Sequence, residues 1–186
     1  MRITGGKARG IPLNVPAKGE VRPATDYLRE AVFSSLGPQV ARARVLDLFA
    51  GSGAYGLEAI SRGAAAVTLV EKDRRAQNCL KDNLTAVEKS LGQSFDGKVV
   101  AADVLRWQAS GQADIVFADP PYSYWETRAE ALLELLGYLA TATQARTFVL
   151  EAPGGREPEV PENFTLRKSL GKGKTQPAAW IYDVGT

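Results

Sequence analysis

The chain contains no histidine and one cysteine, Cys79. A lone thiol excludes an internal disulfide, and without imidazole or a second thiolate a dedicated zinc site lacks its usual ligands, so no metal is expected. Acid-base chemistry must fall to other groups. No apolar run approaches the roughly 18 to 20 residues that span a bilayer, and the opening MRITGGKARG has no apolar signal-peptide core. No membrane partner and a cytoplasmic protein are therefore expected. Charge imbalance is also lacking: 23 Lys and Arg against 21 Asp and Glu leave a net +2. That is too little to imply a polyanionic partner, and any such case must rest on where the charges sit.

What is present is a core-forming pattern. The chain has 186 residues, 45% of them hydrophobic, which suits one domain that buries about 70% of its unfolded surface. From Val45 to Val149 short apolar runs alternate with amphipathic stretches, the pattern of a doubly wound α/β sheet. VLDLF, VTLV, VVAA, IVFA and TFVL predict five parallel strands. After Asp73, the residues Ala76, Leu80, Leu84, Val87 and Leu91 line one face of a helix that Gly92 ends. Residues 26 to 36 predict an earlier helix, capped by Thr25 or Asp26, with Leu28, Ala31, Val32 and Leu36 inward. Residues 2 to 15 suggest a small hairpin. Beyond Glu151 the Pro- and Gly-rich APGGREPEVPE precedes two more strands, FTLRKSL and AAWIYDV, around the basic loop GKGKTQP. A single domain over 1–186 is expected, with residues 1–25 a basic arm and 26–186 the core.

The segment VLDLFAGSGAYG sets Gly51, Gly53 and Gly56 directly after a predicted strand and at the start of a helix. Glycine suits a chain that turns sharply where a ligand approaches the backbone closely. Glu71 ends the next strand about twenty residues on, where a carboxylate can accept hydrogen bonds from both ribose hydroxyls of a nucleoside. NAD and S-adenosyl-L-methionine both fit this spacing. Asp47, in the strand before the glycines, favours the second, because a carboxylate suits a cationic amino acid end and repels pyrophosphate; the bland alternative is that it caps the turn through backbone amides. Asp103 closes the third strand, placed to accept from an adenine amino group while the Val104 amide donates to the ring. The candidate cofactor residues are Asp47, Phe49, Ala50, Gly51, Gly53, Glu71, Lys72, Asp103 and Val104.

The fourth strand delivers Asp119, Pro120, Pro121 and Tyr122 to the carboxyl edge of the sheet. Two prolines fix φ, remove two donors and hold their predecessors out of the helical region, leaving carbonyls free to accept. An exocyclic base amine is a poor nucleophile because its lone pair is delocalised. Accepting its N–H bonds, as Asp119 and the Pro120 carbonyl could, favours a tetrahedral, nucleophilic nitrogen. Tyr122 offers a face for stacking a base that has left its helix, a contact worth roughly 1–3 kcal/mol. Cys79 falls within the amphipathic helix as packing, which disfavours thiolate-dependent carbon methylation.

These residues resemble the RsmD family of bacterial 16S rRNA guanine-N2 methyltransferases. The resemblance rests on MRITGGKARGIPL, RPATDYLREAVFSSL, VLDLFAGSGAYGLEAISRGA, VEKD and DPPY, and so covers nearly the whole chain. It implies a class I S-adenosylmethionine-dependent methyltransferase fold, Rossmann-like, with a mostly parallel seven-stranded sheet. It also implies methyl transfer to the exocyclic amine of guanine 966 in 16S rRNA, on naked RNA or within a small-subunit assembly particle, with the enzyme expected to be a monomer. The family pattern usually reads RPTTDRVRE; here Ala24 stands for a threonine and Tyr27 for an arginine, and the resemblance adds only Arg22 and Thr25 to the cofactor set.

Two other classes compete. One is a DPPY enzyme acting on DNA adenine or a protein amide, although a sequence-specific DNA enzyme usually needs a recognition region for which there is no room. The other is a nucleotide-binding module without catalysis, which has no need of DPPY. An NAD-dependent dehydrogenase would want a second lobe and an acid-base group for hydride chemistry. Candidate RNA contacts are Arg2, Lys7, Arg9 and Lys18 in the arm, which is positive against Glu20 alone, and Lys172 and Lys174 in the late basic loop.

Overall fold

The structure is a computed structural model, and it describes residues 1–16, 25–171 and 176–185. Of the candidate residues, Arg22, Lys18, Lys172 and Lys174 lie outside this set, as does the side chain of Thr25.

Seven strands form one sheet: β1 Arg44–Leu48, β2 Ala66–Glu71, β3 Asp96–Ala101, β4 Ile115–Ala118, β5 Thr147–Pro153, β6 Phe164–Leu170 and β7 Pro177–Val184. Their order is β3-β2-β1-β4-β5-β7-β6. The first five are parallel, as their apolar runs predicted, and β7 lies antiparallel between β5 and β6. Five helices connect or cover the sheet: α1 Thr25–Leu36, α2 Ala54–Ser61, α3 Arg74–Leu91, α4 Tyr124–Thr127 and α5 Ala129–Thr143. The two-residue period of a strand sends alternate side chains to opposite layers. On β1, Val45 enters the layer containing Phe33, Leu57 and Leu80, while Leu46 and Leu48 enter the layer built on Leu135, Leu136 and Leu139 of α5. Each fully buried Leu contributes roughly 1.5–3 kcal/mol.

Sequence pattern accounts for most helix limits. Asp73 caps α3 by accepting from the Arg75 and Ala76 amides, and Gly92 ends it in the left-handed region at φ 66°. Ala76, Leu80 and Val87 are buried, whereas Leu84 and Leu91 are only partly covered. The same face also buries Asn83, whose amide group donates to the Ser52 and Asn14 carbonyls. In α1, Leu28, Val32 and Leu36 point inward as expected, but Ala31 is half-buried and Arg29 and Phe33 take the rest of the face. Asp26 lies in the first turn and pairs with Arg29 at 2.9 Å.

The hairpin expected over residues 2 to 15 is present: Arg2 bridges Pro12, the Ile3 amide donates to the Ile11 carbonyl, the Gly10 amide to the Ile3 carbonyl and the Leu13 amide to the Met1 carbonyl. Its tip directs further backbone donors to α2. The Thr4 and Gly5 amides donate to the Glu58 carboxylate, the Lys7 amide to the Ser61 carbonyl and the Ala8 amide to the Ser61 hydroxyl. The arm is therefore fastened to α2 as well as to itself.

Candidate functional site

The strand order reverses at β1 and β4, the switch point where open α/β sheets bind ligands beyond their carboxyl ends. Leu48 of β1 stands beside Ala118 of β4, which stands beside Leu150 of β5. Three carboxylates consequently emerge at neighbouring strand ends: Asp47, Asp119 and Glu151. They line one cavity of about 110 Å³, together with Arg29, Phe49, Ala50, Gly51 and Tyr55 among others.

The glycine turn shapes this cavity. Phe49, Gly51 and Gly53 have φ of 57°, 54° and 81°. Two of the three positions use glycine; Phe49 adopts the region with a side chain, a strain of roughly 1–3 kcal/mol of the kind that collects at ligand sites. Its ring meets Tyr124 edge-on, with centroids 6.0 Å apart. A Cβ on Gly56 would lie 2.7 Å from Leu69 Cδ2 and 3.1 Å from Asp47 Oδ2, so the third glycine lets α2 pack directly against the strands.

Asp47 is 2% exposed, and its Oδ2 accepts from the Gly56 amide at 2.8 Å. The capping alternative thus describes one of its oxygens. Burial pushes its pKa up to about 7, against the pull of the Gly56 amide and with help from the nearby Glu71 charge. A cation placed beside it would favour the ionised form. Glu71 is more occupied than its spacing suggested: Oε2 accepts from the Gly51 amide and Oε1 from the Asp73 amide, both at 2.8 Å. Each oxygen retains capacity for a further donor. Beside it, Lys72 is exposed and donates to the Tyr124 hydroxyl at 2.9 Å. That bond raises the Lys72 pKa, as do the charges of Asp103 and Glu71, which places these residues together along the edge. Asp103 accepts from the Leu105 amide, and Val104 is buried. Glu71, Lys72, Asp103 and Val104 adjoin the cavity's edge of the sheet without lining the cavity itself.

At the end of β4, Asp119 is half-buried, Pro120 buried and Tyr122 half-buried. The Pro121 carbonyl accepts from the Tyr124 amide and the Tyr122 carbonyl from the Trp125 amide, starting α4. Among the described residues no donor meets the Pro120 carbonyl. This leaves that carbonyl as an acceptor on a conformationally fixed turn.

Six cavity residues were not among the sequence candidates: Met1, Arg29, Ser52, Ala54, Tyr55 and Glu151. Tyr55 stacks on Phe117 at 5.0 Å and donates to Glu151 Oε2 at 2.9 Å. Burial, then the charges of Glu151 and Asp119, hold its hydroxyl protonated far above the usual phenol range. Glu151 is 3% exposed, and its signal was an acid at the end of a fifth parallel strand, the position Asp119 follows on the fourth. Arg29 is 1% exposed; its signal was a cation on the inward face of an amphipathic helix. Of the proposed RNA contacts, Arg2, Lys7 and Arg9 are exposed.

The arrangement is a glycine turn after β1 beside a rigid proline turn after β4. A solved structure described as a methyltransferase of Escherichia coli superposes with a TM-score of 0.80 at 34% identity, covering 99% of this chain and 97% of that one. One from Haemophilus influenzae, described as a methylase, gives 0.74 at 29% identity, covering 99% and 98%. Fold and site together define a methyltransferase of the Rossmann-like class. The chain belongs to the family described as Conserved hypothetical protein 95, the RsmD family, which matches residues 1–181. A relative from Escherichia coli strain K12, Ribosomal RNA small subunit methyltransferase D, is 37% identical over 177 residues, 94% of this chain and 86% of the relative. Its namesake in Haemophilus influenzae is 34% identical over 174 residues, 93% and 89% of the two chains. Among the described residues no helix is long and apolar enough to cross a membrane.

Proposed function

We propose that this protein transfers a methyl group from S-adenosyl-L-methionine to the exocyclic N2 amine of a guanine in 16S rRNA, guanine 966 in the family's numbering, and does so in the cytoplasm as a monomer. The observation that carries the reading is the meeting of Asp47, the glycine turn and Asp119 in one cavity. The names of the relatives, small-subunit ribosomal RNA methyltransferases, support the substrate class.

When bound, the cofactor supplies an electrophilic methyl group on a sulfonium. Asp47 fits its ammonium group: a buried carboxylate facing a cavity gains from a cation there. Gly51 and Gly53 let the backbone approach it, and Glu71 can accept from the ribose. Lys72, Asp103 and Val104 follow along the edge where the adenine would lie, with Arg22 and Thr25 assigned by family resemblance. On the substrate side, Asp119 and the Pro120 carbonyl accept the two amine N–H bonds, directing the nitrogen lone pair toward the methyl group. Tyr122 backs the flipped base. Arg2, Lys7 and Arg9, with Lys18, Lys172 and Lys174, contact phosphates.

Mass mapping of 16S rRNA from a deletion strain, with and without the restored gene, tests the assignment: one guanine should lose and regain a methyl group. Asp119→Ala should lower the single-turnover rate by roughly 10²–10³, the scale of one preorganised polar contact, with folding and cofactor affinity retained. Asp119→Asn should retain more activity, since its carbonyl still accepts. A near wild-type rate in the alanine variant would sink the mechanism.

A further inference from the structure

Helix α3 buries Ala76, Leu80 and Val87 at helical spacing, and the same stripe buries the polar Asn83 at 1% exposure. Packing alone would be served by an apolar residue there, and a buried amide costs stability unless its donors and acceptor are met. Those of Asn83 are met. Nδ2 donates to the Ser52 carbonyl and to the Asn14 carbonyl, both at 2.9 Å, and Oδ1 accepts from the Asn14 amide at 2.8 Å.

One of these partners belongs to the glycine turn. Ser52 lies between Gly51 and Gly53, whose φ are 54° and 81°, and it lines the cavity. Glycine loses more conformational freedom on ordering than any other residue, so a turn built on two of them needs restraint from outside. Peptide units are planar, and fixing the Ser52 carbonyl therefore fixes the Gly53 amide, which closes the turn by donating to the Ala50 carbonyl at 2.7 Å.

The other partner belongs to the arm. Asn14 meets Asn83 through both its amide and its carbonyl, and that carbonyl also accepts from the Cys79 thiol at 3.0 Å. Asn14 is exposed and does not line the cavity. Ser52 also reaches the arm directly, its hydroxyl donating to Met1 Sδ at 3.5 Å. Gln77, the other buried amide side chain of α3, donates to the Glu71 carbonyl at 2.8 Å. Both amides thus hold chain at the carboxyl edge, after β1 and at the end of β2, and Asn83 extends that hold to the arm.

We infer that Asn83 is a positioning residue for the cofactor: it fixes the Ser52 peptide of the glycine turn against the arm, so that Asn14 contributes to cofactor affinity without touching the ligand. This rests on the S-adenosylmethionine reading above. The gain is preorganisation, since a turn already held in shape is not ordered at the expense of binding.

Calorimetry with S-adenosylhomocysteine, at a temperature where circular dichroism shows each variant folded, provides the test. Asn83→Leu keeps the volume and removes all three bonds; it should weaken binding by about tenfold, the scale of one or two net hydrogen bonds. Asn14→Pro removes the amide that Asn83 accepts and should weaken binding by roughly threefold. Asn14→Ala keeps both backbone bonds and should bind as the wild type does. Losses in the double variant Asn83→Leu with Asn14→Pro should not add, because both break one link. Wild-type affinity in folded Asn83→Leu overturns the inference, since the amide then serves only the packing of α3. Wild-type affinity in Asn14→Pro, or additive losses, overturns it as well. Hydrogen exchange in the wild type keeps the question open to test if the variants fail to fold: S-adenosylhomocysteine should slow exchange at the Asn14 amide as well as at the Gly53 amide, and protection that stops at Gly53 overturns the inference. If S-adenosylhomocysteine does not bind the wild type at all, the cofactor reading fails and this inference with it.

Discussion

Two buried carboxylates touch α2 in opposite circumstances. Glu58 is fully buried and accepts from five donors, two on Thr4 and one each on Gly5, Arg29 and Arg62. Asp47, at 2% exposure, accepts among the described residues from the Gly56 amide alone. A buried charge with a full complement of donors belongs to the framework, whereas one left short of donors costs stability and persists where a ligand completes it. The floor beneath the arm is thus satisfied by the chain's own donors, whereas Asp47 retains capacity for a further donor.

The largest effect should come from the finished side. Glu58→Ala leaves Arg29 and Arg62 without their shared acceptor, and breaking a buried pair in this way typically costs about 3–5 kcal/mol. Urea denaturation should show a loss of that size. A loss under about 1 kcal/mol, the scale of surface ion pairs, would erase the contrast.

Glu71 stands between the two cases, since it fastens Gly51 and Asp73 and is also the proposed ribose acceptor. Glu71→Ala should weaken S-adenosylhomocysteine binding more than tenfold, over about 1.4 kcal/mol, and lower the melting temperature as well. Calorimetry showing wild-type affinity would leave Glu71 as framework only.

Asp47→Asn sharpens the comparison through pH. The Asp47 pKa is raised from 3.8 to about 7 in the folded protein, so the native state keeps a proton that the unfolded chain has released. Wild-type stability should therefore fall as pH rises from about 4 to about 7, by up to about 1.4 kcal/mol per pH unit, and change little from this cause above that window. Asparagine lacks the titration. The difference between urea midpoints should drift in the variant's favour across the window, while its affinity for S-adenosylhomocysteine drops. Parallel stability curves would mean that Asp47 is as well satisfied as Glu58.

The smallest effect concerns the exposed side of the arm. Replacing Lys7 and Arg9 with alanine should flatten the salt dependence of RNA binding by up to about 0.9 log unit per lost phosphate contact on a duplex, and less on single strands. S-adenosylhomocysteine affinity should hold. An unchanged slope would place the RNA surface elsewhere.

The features legible in the sequence were those with a local cause. Strand alternation, the Asp73 and Gly92 caps and the turn glycines all act within a few residues, and the topology of a doubly wound sheet then carries Asp47 and Asp119 to one edge. Residues whose role depends on packing between distant elements were not legible. Glu58 and Arg29 sit in helices where a charge ordinarily faces water, and their contacts with Arg2, Thr4 and Gly5 come from the distant arm. The hairpin itself was legible, but its attachment to α2, through amides that meet Glu58 and Ser61, was not. Glu151 could have been found by extending to the fifth strand the strand-end rule applied to the first four.

The position of β7 bears on how the protein comes into being. This strand follows all the others in the chain yet lies inside the sheet, with β5 on one side and β6 on the other. During synthesis β1 to β5 can assemble in order, but β5 keeps an open edge, and β6 has no place beside it, until Pro177–Val184 has emerged. An apolar edge waiting for its partner invites pairing with another chain. Slow translation between β6 and β7 should therefore favour aggregation, and the finished cleft, flanked by the β5 end that β7 secures, should form as one of the last events of folding.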